Sequence, residues 1–237
     1  MSKNRKKAIA VIVEGLSDKV SLESIFENYF ENSSVKVAVM YCDITTEPNP
    51  ITMTDPTPGD IISIISKRIT DSLAIDRIRF PTDVERIIHI IDTDGAFISP
   101  EYVMEGTNNK IQYTENEIIT NSRNQIEERN KAKRLIVQKL CKLQKIFDIP
   151  YQIFFFSRNL EHVLHNKIEN LTDEDKKNLS NSFDDKYGEK KDLKSFLDFI
   201  NDTNFAVPGT YSETWVFILK DKNSLKRYSN LNLLFKD

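Results

Sequence analysis

Two mostly apolar, largely β-branched runs each stop at an acid. Ala8 to Val13 (AIAVIV) runs into Glu14-Gly15, and Arg86 to Ile91 (RIIHII) runs into Asp92-Thr93-Asp94-Gly95. A continuous apolar run of this length suits a strand buried on both faces, as in a parallel sheet covered by helices. Helical patterns fill the intervals. An amphipathic stretch begins near Ser17, with Val20, Leu22, Ile25, Phe26 and Phe30 as its apolar stripe, and Val35 to Tyr41 predicts a second strand. A polar, proline-rich loop follows through Pro58, then a helix over Asp60 to about Leu73, and Arg86 to Ile91 becomes the third strand. Glu115 to Phe147 predicts one long or two broken helices, and Tyr151 to Phe156 (YQIFFF) a fourth strand. Strands alternating with helices predict an α/β layer structure with a mainly parallel sheet.

Beyond Asn159 the pattern turns helical, over Leu160 to Ile168, Asp192 to Ile200, Glu213 to Lys220 and Ser224 to Leu234. Glu169 to Asp192 is rich in Asp, Asn and Lys and reads as a mobile connector or a weak exposed helix. A chain of 237 residues holds one core domain with an appendage. The division expected is a catalytic domain over residues 1–168, with a long helical insertion at about 98–150, and a helical extension over 169–237. The net charge of −3 excludes a global basic field, so any nucleic-acid contact must come from local patches. Cys42 and Cys141 lack metal or redox spacing and read as free thiols in a reducing cytoplasm. No apolar stretch reaches the length of a signal-peptide core or a membrane span, so a cytoplasmic protein with no membrane partner is expected.

In open α/β sheets reactive groups collect beyond the carboxyl ends of the strands. If the first and third strands are neighbours, Glu14, Asp92 and Asp94 face one crevice. Clustered carboxylates repel one another, and a cation relieves them. Mg2+ (or Mn2+) suits hard oxygen ligands that leave room for water and phosphate. Taken singly, Asp-Thr-Asp-Gly is an ordinary turn and Glu14-Gly15 a helix entry capped by Ser17 or Asp18; together, at the ends of the two most apolar strands, they point to chemistry. The densest basic stretch carries Arg123, Arg129, Lys131, Lys133, Arg134, Lys139, Lys142 and Lys145. It reads equally as a phosphate-binding surface or as a solvated helix face balanced by Glu127 and Glu128. His162 and His165 beside Glu161 lack a third partner for zinc, and Tyr151 with Phe154 to Phe156 reads as core.

The segment V-I-V-E-G-L-S-D-K at Val11 to Lys19, with I-I-D-T-D-G at Ile90 to Gly95, resembles the two signatures of the Toprim domain of topoisomerases, primases, ribosomal-RNA maturases and OLD-type nucleases. By organisation the resemblance spans about residues 7–160. It implies a Rossmann-like, mainly parallel four-stranded sheet flanked by helices. It also implies Glu14 as general acid/base or metal ligand and Asp92 and Asp94 as Mg2+ ligands. Asp18 matches an acidic position of the nuclease branches, and Lys19 is placed to meet phosphate. F-F-F-S-R-N-L-E at Phe154 to Glu161 is similar to the strand-to-helix end of RloB-like and OLD-like Toprims, which adds Glu161. The expected activity is metal-dependent hydrolysis of DNA or RNA phosphodiesters. No phosphate loop for an ATPase is present, so the resemblance implies the toxic effector of a phage-defence or abortive-infection system, with an ATPase partner in trans; a homodimer is left open.

Two other readings stand beside it. I-I-D-T-D-G followed by F-F-F-S also resembles the first motifs of haloacid-dehalogenase-like phosphatases. Against that, Ala96 replaces the usual threonine, Asp184-Asp185 sits in a polar stretch, and Glu14-Gly15 is left unexplained. The other is a non-catalytic regulatory subunit of an ATPase complex.

Overall fold

The computed structural model describes residues 7–31, 35–45, 54–74 and 77–236. The opening basic residues and the middle of the proline-rich loop lie outside them. The element order is β1 (Lys7–Val13), α1 (Leu16–Tyr29), β2 (Val35–Tyr41), α2 (Ile61–Ala74) and β3 (Val84–Asp92), then an insertion. The insertion contains β4 (Val103–Glu105), β5 (Gln112–Tyr113), β6 (Ile118–Thr120), α3 (Arg123–Leu140) and β7 (Lys145–Ile146). After it come β8 (Ile149–Ser157), α4 (Leu160–His165), α5 (Asp173–Tyr187), α6 (Leu193–Ile200), α7 (Tyr211–Ile218) and β9 (Tyr228–Ser229).

The main sheet runs β2-β1-β3-β8, every pair parallel, so the fold is α/β. The far edge of β8 is covered at its two ends by antiparallel β7 and β9, which makes the sheet mixed. Alternate residues of each parallel strand serve different cores. Ala8, Ala10, Ile12, Ile87, Ile91, Ile153 and Phe155 face α2, the C-terminal half of α3 and α7. Ile9, Val11, Val13, Ile88, Ile90, Phe154 and Phe156 face α1, α4, α5 and α6. With both faces covered no position favours a polar residue, which is why the strands read as unbroken apolar runs. His89 departs from this: it is fully buried, with a 2.8 Å hydrogen bond between Nδ1 and the Tyr151 hydroxyl and no partner for Nε2 among the described residues.

Three expectations require correction, and one open alternative, connector or exposed helix over Glu169 to Asp192, is decided for the helix. The residues 115–122 are not helical: β-branched Ile118, Ile119 and Thr120 form the middle strand of a small sheet, β4-β6-β5, and the helix starts only after Ser122. The same helix stops at Leu140, because Phe147 and Asp148, both at positive φ, make the tight turn of a β7–β8 hairpin. Glu169 to Asp192 is no mobile connector. Thr172 caps α5 by accepting from the Asp175 amide at 3.1 Å, and the sparse apolar residues Phe183 and Tyr187 lie one turn apart on the buried face. Ser224 to Leu234 is not a helix either; it holds two 3-10 turns, Asn223–Leu225 and Leu231–Phe235, around β9, where Ser229 and Asn230 bond the backbone of Phe155. The C-terminal residues therefore supply both a strand of the main sheet and much of one core, including Phe196, Phe205, Leu231 and Leu234.

Candidate functional site

β1 and β3 are hydrogen-bonded neighbours, so Glu14 and Asp92 emerge side by side at their carboxyl ends. Pairing with β8 continues past the end of β3: Thr93 N–H donates to Phe156 O at 3.0 Å and Asp94 N–H to Arg158 O at 2.9 Å. The chain then turns through two residues at positive φ, Asp94 at 48° and Gly95 at 66°. Only glycine suits the second, since a Cβ there would lie 2.5 Å from Leu225 Cδ2. β8 ends at Ser157, and Asn159 caps α4 by accepting from the His162 amide at 3.0 Å, which brings Glu161 to the same crevice. Asp18, in the first turn of α1, accepts from Gly15 N–H at 3.1 Å. The Ser17 hydroxyl spans 3.4 Å to Asp18 and 3.3 Å to Glu161. Glu14, Asp18, Asp92, Asp94 and Glu161 thus share one crevice. Lys19 turns along α1 to Glu23 instead, at 3.5 Å.

The ammonium of Lys133, a residue with no exposed surface, enters from α3 and lies 2.5 Å from Asp94 Oδ2 and 3.3 Å from Glu14 Oε1. Thr45 donates to Glu14 at 3.2 Å and to Asp43 at 2.8 Å. Arg129, one turn before Lys133, donates to the Asp94 carbonyl at 3.0 Å and to the Tyr113 hydroxyl at 2.8 Å. Sequence reasoning placed Arg129 and Lys133 in a basic stretch without setting them apart. A signal was available: Ile126, Asn130, Lys133, Val137 and Leu140 follow the helical repeat of the buried face, so Lys133 occupies a core position. Of the remaining basic residues, Arg123 pairs with Glu127, Lys139 reaches the Pro58 carbonyl, and Lys131 and Arg134 line an outer groove. Asp43, Thr45, Arg158 and Lys176 carried no such signal, because loop geometry and tertiary packing bring them in.

The acids outnumber the cations, and their protonation records it. Burial, then repulsion from Asp18, Glu14, Asp94 and Glu161, pushes Asp92 well above the usual carboxylate range. Burial also raises Glu14 well above that range, with Lys133 opposing. Asp18 is pushed to about 6 by burial and by Glu161. Burial works to raise Asp94 too, but Lys133 and Arg129 outweigh it and hold the group ionised. An all-oxygen donor set carrying excess negative charge fits a hard divalent cation in chemistry. As arranged, no group of three or more His, Cys, Asp or Glu side chains among the described residues is disposed to enclose a metal, and Lys133 stands between Glu14 and Asp94.

No family model, curated protein or solved structure matches this chain. No helix among the described residues is long and apolar enough to cross a membrane. Three motif residues of the phosphatase reading are not disposed as that family's motifs require. The Ser157 hydroxyl is committed to the carbonyls of Asn223 and Lys226, at 3.0 and 2.8 Å, and Asp184 and Asp185 sit late in α5, at no strand end.

Proposed function

We propose that the chain is a Toprim-type, metal-dependent nuclease that hydrolyses DNA or RNA phosphodiesters. The observation that carries this reading is the crevice itself: carboxylates from the carboxyl ends of β1 and β3 meet Asp18 and Glu161, and burial, with repulsion between the acids, holds Glu14 and Asp92 well above their ordinary pKa. The parallel order β2-β1-β3-β8 is in keeping with it. Glu14, Asp92 and Asp94 are the residues that would hold Mg2+ or Mn2+, and when bound the ion would polarise a phosphoryl oxygen and activate water. Glu14, whose carboxyl burial raises above the usual carboxylate range, is alternatively the residue to act as general acid/base beside the ion. Lys133 keeps Asp94 ionised and fixes its side chain, while Arg129 fixes the backbone of the same turn. A role as toxic effector of a phage-defence system, under an ATPase partner in trans, belongs to this proposal on the strength of the sequence resemblance alone.

One observation favours a second reading. Lys133 already occupies the space between Glu14 and Asp94 and pairs with both, as a non-catalytic subunit would allow. Purified protein incubated with supercoiled plasmid, single-stranded DNA and bulk tRNA in Mg2+, Mn2+ or EDTA separates the readings. Metal-dependent cleavage, lost in Glu14→Gln and Asp92→Asn, is expected. Silence on every substrate would favour the non-catalytic subunit, and turnover of p-nitrophenyl phosphate alone the phosphatase.

A further inference from the structure

Beside the carboxylate crevice, between Asp94 and α5, lies a cavity of about 120 Å³ lined by Arg158, Lys176, Tyr113, Asn170, Asp94 and Glu161 among others. That volume equals about four waters. It suits a single phosphoryl group and is too small for a nucleobase with its sugar. Its back wall is Arg158, only 4% exposed. One guanidinium nitrogen donates to the Ile168 carbonyl at 2.9 Å and the group rests 4.8 Å over the Tyr113 ring, but it forms no salt bridge among the described residues. A buried guanidinium without a paired anion is costly, and its planar donor fork matches phosphate oxygens. Lys176 lines the same cavity, 3.4 Å from Glu161. Of the carboxylates on the same cavity, Asp94 is paired with Lys133 and Glu161 with Lys176, so the charge left without a paired anion is that of Arg158, and an entering phosphate would share Lys176 with Glu161. Lys176 also lines a second groove of about 580 Å³, between the start of α1 and α5, with exposed Leu16, Lys177 and Asn181 and half-buried Val20. A strand whose phosphate entered the small cavity would have the larger groove on the other side of the same lysine.

We propose that Arg158 and Lys176 form a phosphoryl-binding pocket that seats one phosphate of a nucleic-acid strand next to the carboxylates. Its walls come from the insertion (Tyr113), the end of β8 (Arg158) and the C-terminal helix α5 (Lys176). The choice of a nucleic-acid strand rests on the nuclease reading; the pocket itself does not need catalysis. The phosphate can be an internal diester or a terminal monoester, and the test separates these sources.

Binding of 3′-fluorescein-labelled single-stranded decamers, DNA and RNA, with and without a 5′-phosphate, would be followed by anisotropy in EDTA at fixed low salt. Inorganic phosphate would serve as competitor. Removing one charge-assisted hydrogen bond to the phosphate is expected to weaken binding about tenfold. Arg158→Gln and Lys176→Gln should both show this, and Lys194→Gln on α6 should bind as wild type. Lys176 is a partly exposed helix residue, so its variant tests the pocket even if Arg158→Gln fails to fold. Equal losses for both strand types mean an internal diester is seated; a loss confined to the phosphorylated strands means a terminal phosphate. Unchanged affinity in Lys176→Gln, an equal loss in Lys194→Gln, or no binding of strands or phosphate by the wild type would overturn the pocket. Intact pocket-dependent binding without any metal-dependent cleavage would remove the nuclease reading and leave the pocket standing.

Discussion

Asp18 carries a pKa near 6 in a position that is almost fully buried, and this makes the metal-free protein sensitive to pH in a definite sense. Its folded pKa lies above the value of an unfolded aspartate, so it imposes no penalty below about pH 4. The penalty grows as pH rises to about 6 and is then constant, at about 3 kcal/mol from 1.36 kcal/mol per unit. His89 acts in the opposite direction. Burial lowers it from 6.5 to about 3, so its contribution is present above about pH 6.5 and is lost as pH falls. Urea unfolding of Asp18→Asn against wild type, in EDTA, isolates the first effect: the variant should gain stability relative to wild type between pH 4 and 7. A constant difference across that range would mean that Asp18 is not the strained group. At this scale Glu14, Asp92 and Asp94 were legible in the sequence because each ends or closely follows a strongly patterned strand, Asp18 and Glu161 came only from the family resemblance, and Asp43 was not legible. The cations were not legible either, since Arg158 and Lys176 reach the crevice from segments that only tertiary packing brings near.

Among the elements, α3 does two jobs with one face. Its C-terminal half places Ile136, Val137 and Leu140 in the core, and the same stripe continued toward the N-terminus delivers Lys133 to Glu14 and Asp94. Replacing that lysine with an apolar side chain leaves two buried carboxylates facing each other. Lys133→Met should therefore cost about 3–5 kcal/mol at neutral pH in EDTA. Adding Glu14→Gln should recover part of the loss, measured by urea unfolding of the single and double variants. A neutral Lys133→Met would show that the ion pair does not support the fold. The core strands β1, β2, β3 and β8 and helices α1, α2 and α6 were legible because their apolar residues repeat at one period throughout. The small sheet and β9 were not. Two- and three-residue strands are too short to show a period, and what holds β9 in place is the pairing of Ser229 and Asn230 with Phe155, a residue distant in sequence.

Across the whole molecule, the residues after 168 are tied into both cores. Phe183, Tyr187, Phe196, Ile200, Phe205, Leu231 and Leu234 pack on the α1 face, and Trp215 and Ile218 on the other. Each such side chain contributes about 1.5–3 kcal/mol on full burial, so losing them together removes an amount comparable with the about 5–15 kcal/mol by which a typical domain is stable. A fragment of residues 1–168 should therefore lack near-ultraviolet dichroism and a cooperative urea transition, whereas either signal in the fragment would show that the C-terminal part is dispensable for folding. The chain order of the crevice also sets when it can exist. Glu14, Asp92 and Asp94 leave the ribosome well before Lys133, Arg158 and Lys176, and the strand that closes the edge of β8 emerges later still, at Tyr228 and Ser229. A nascent chain therefore displays the acids without the cations that hold them, and the crevice first forms after residue 229 has been added and released.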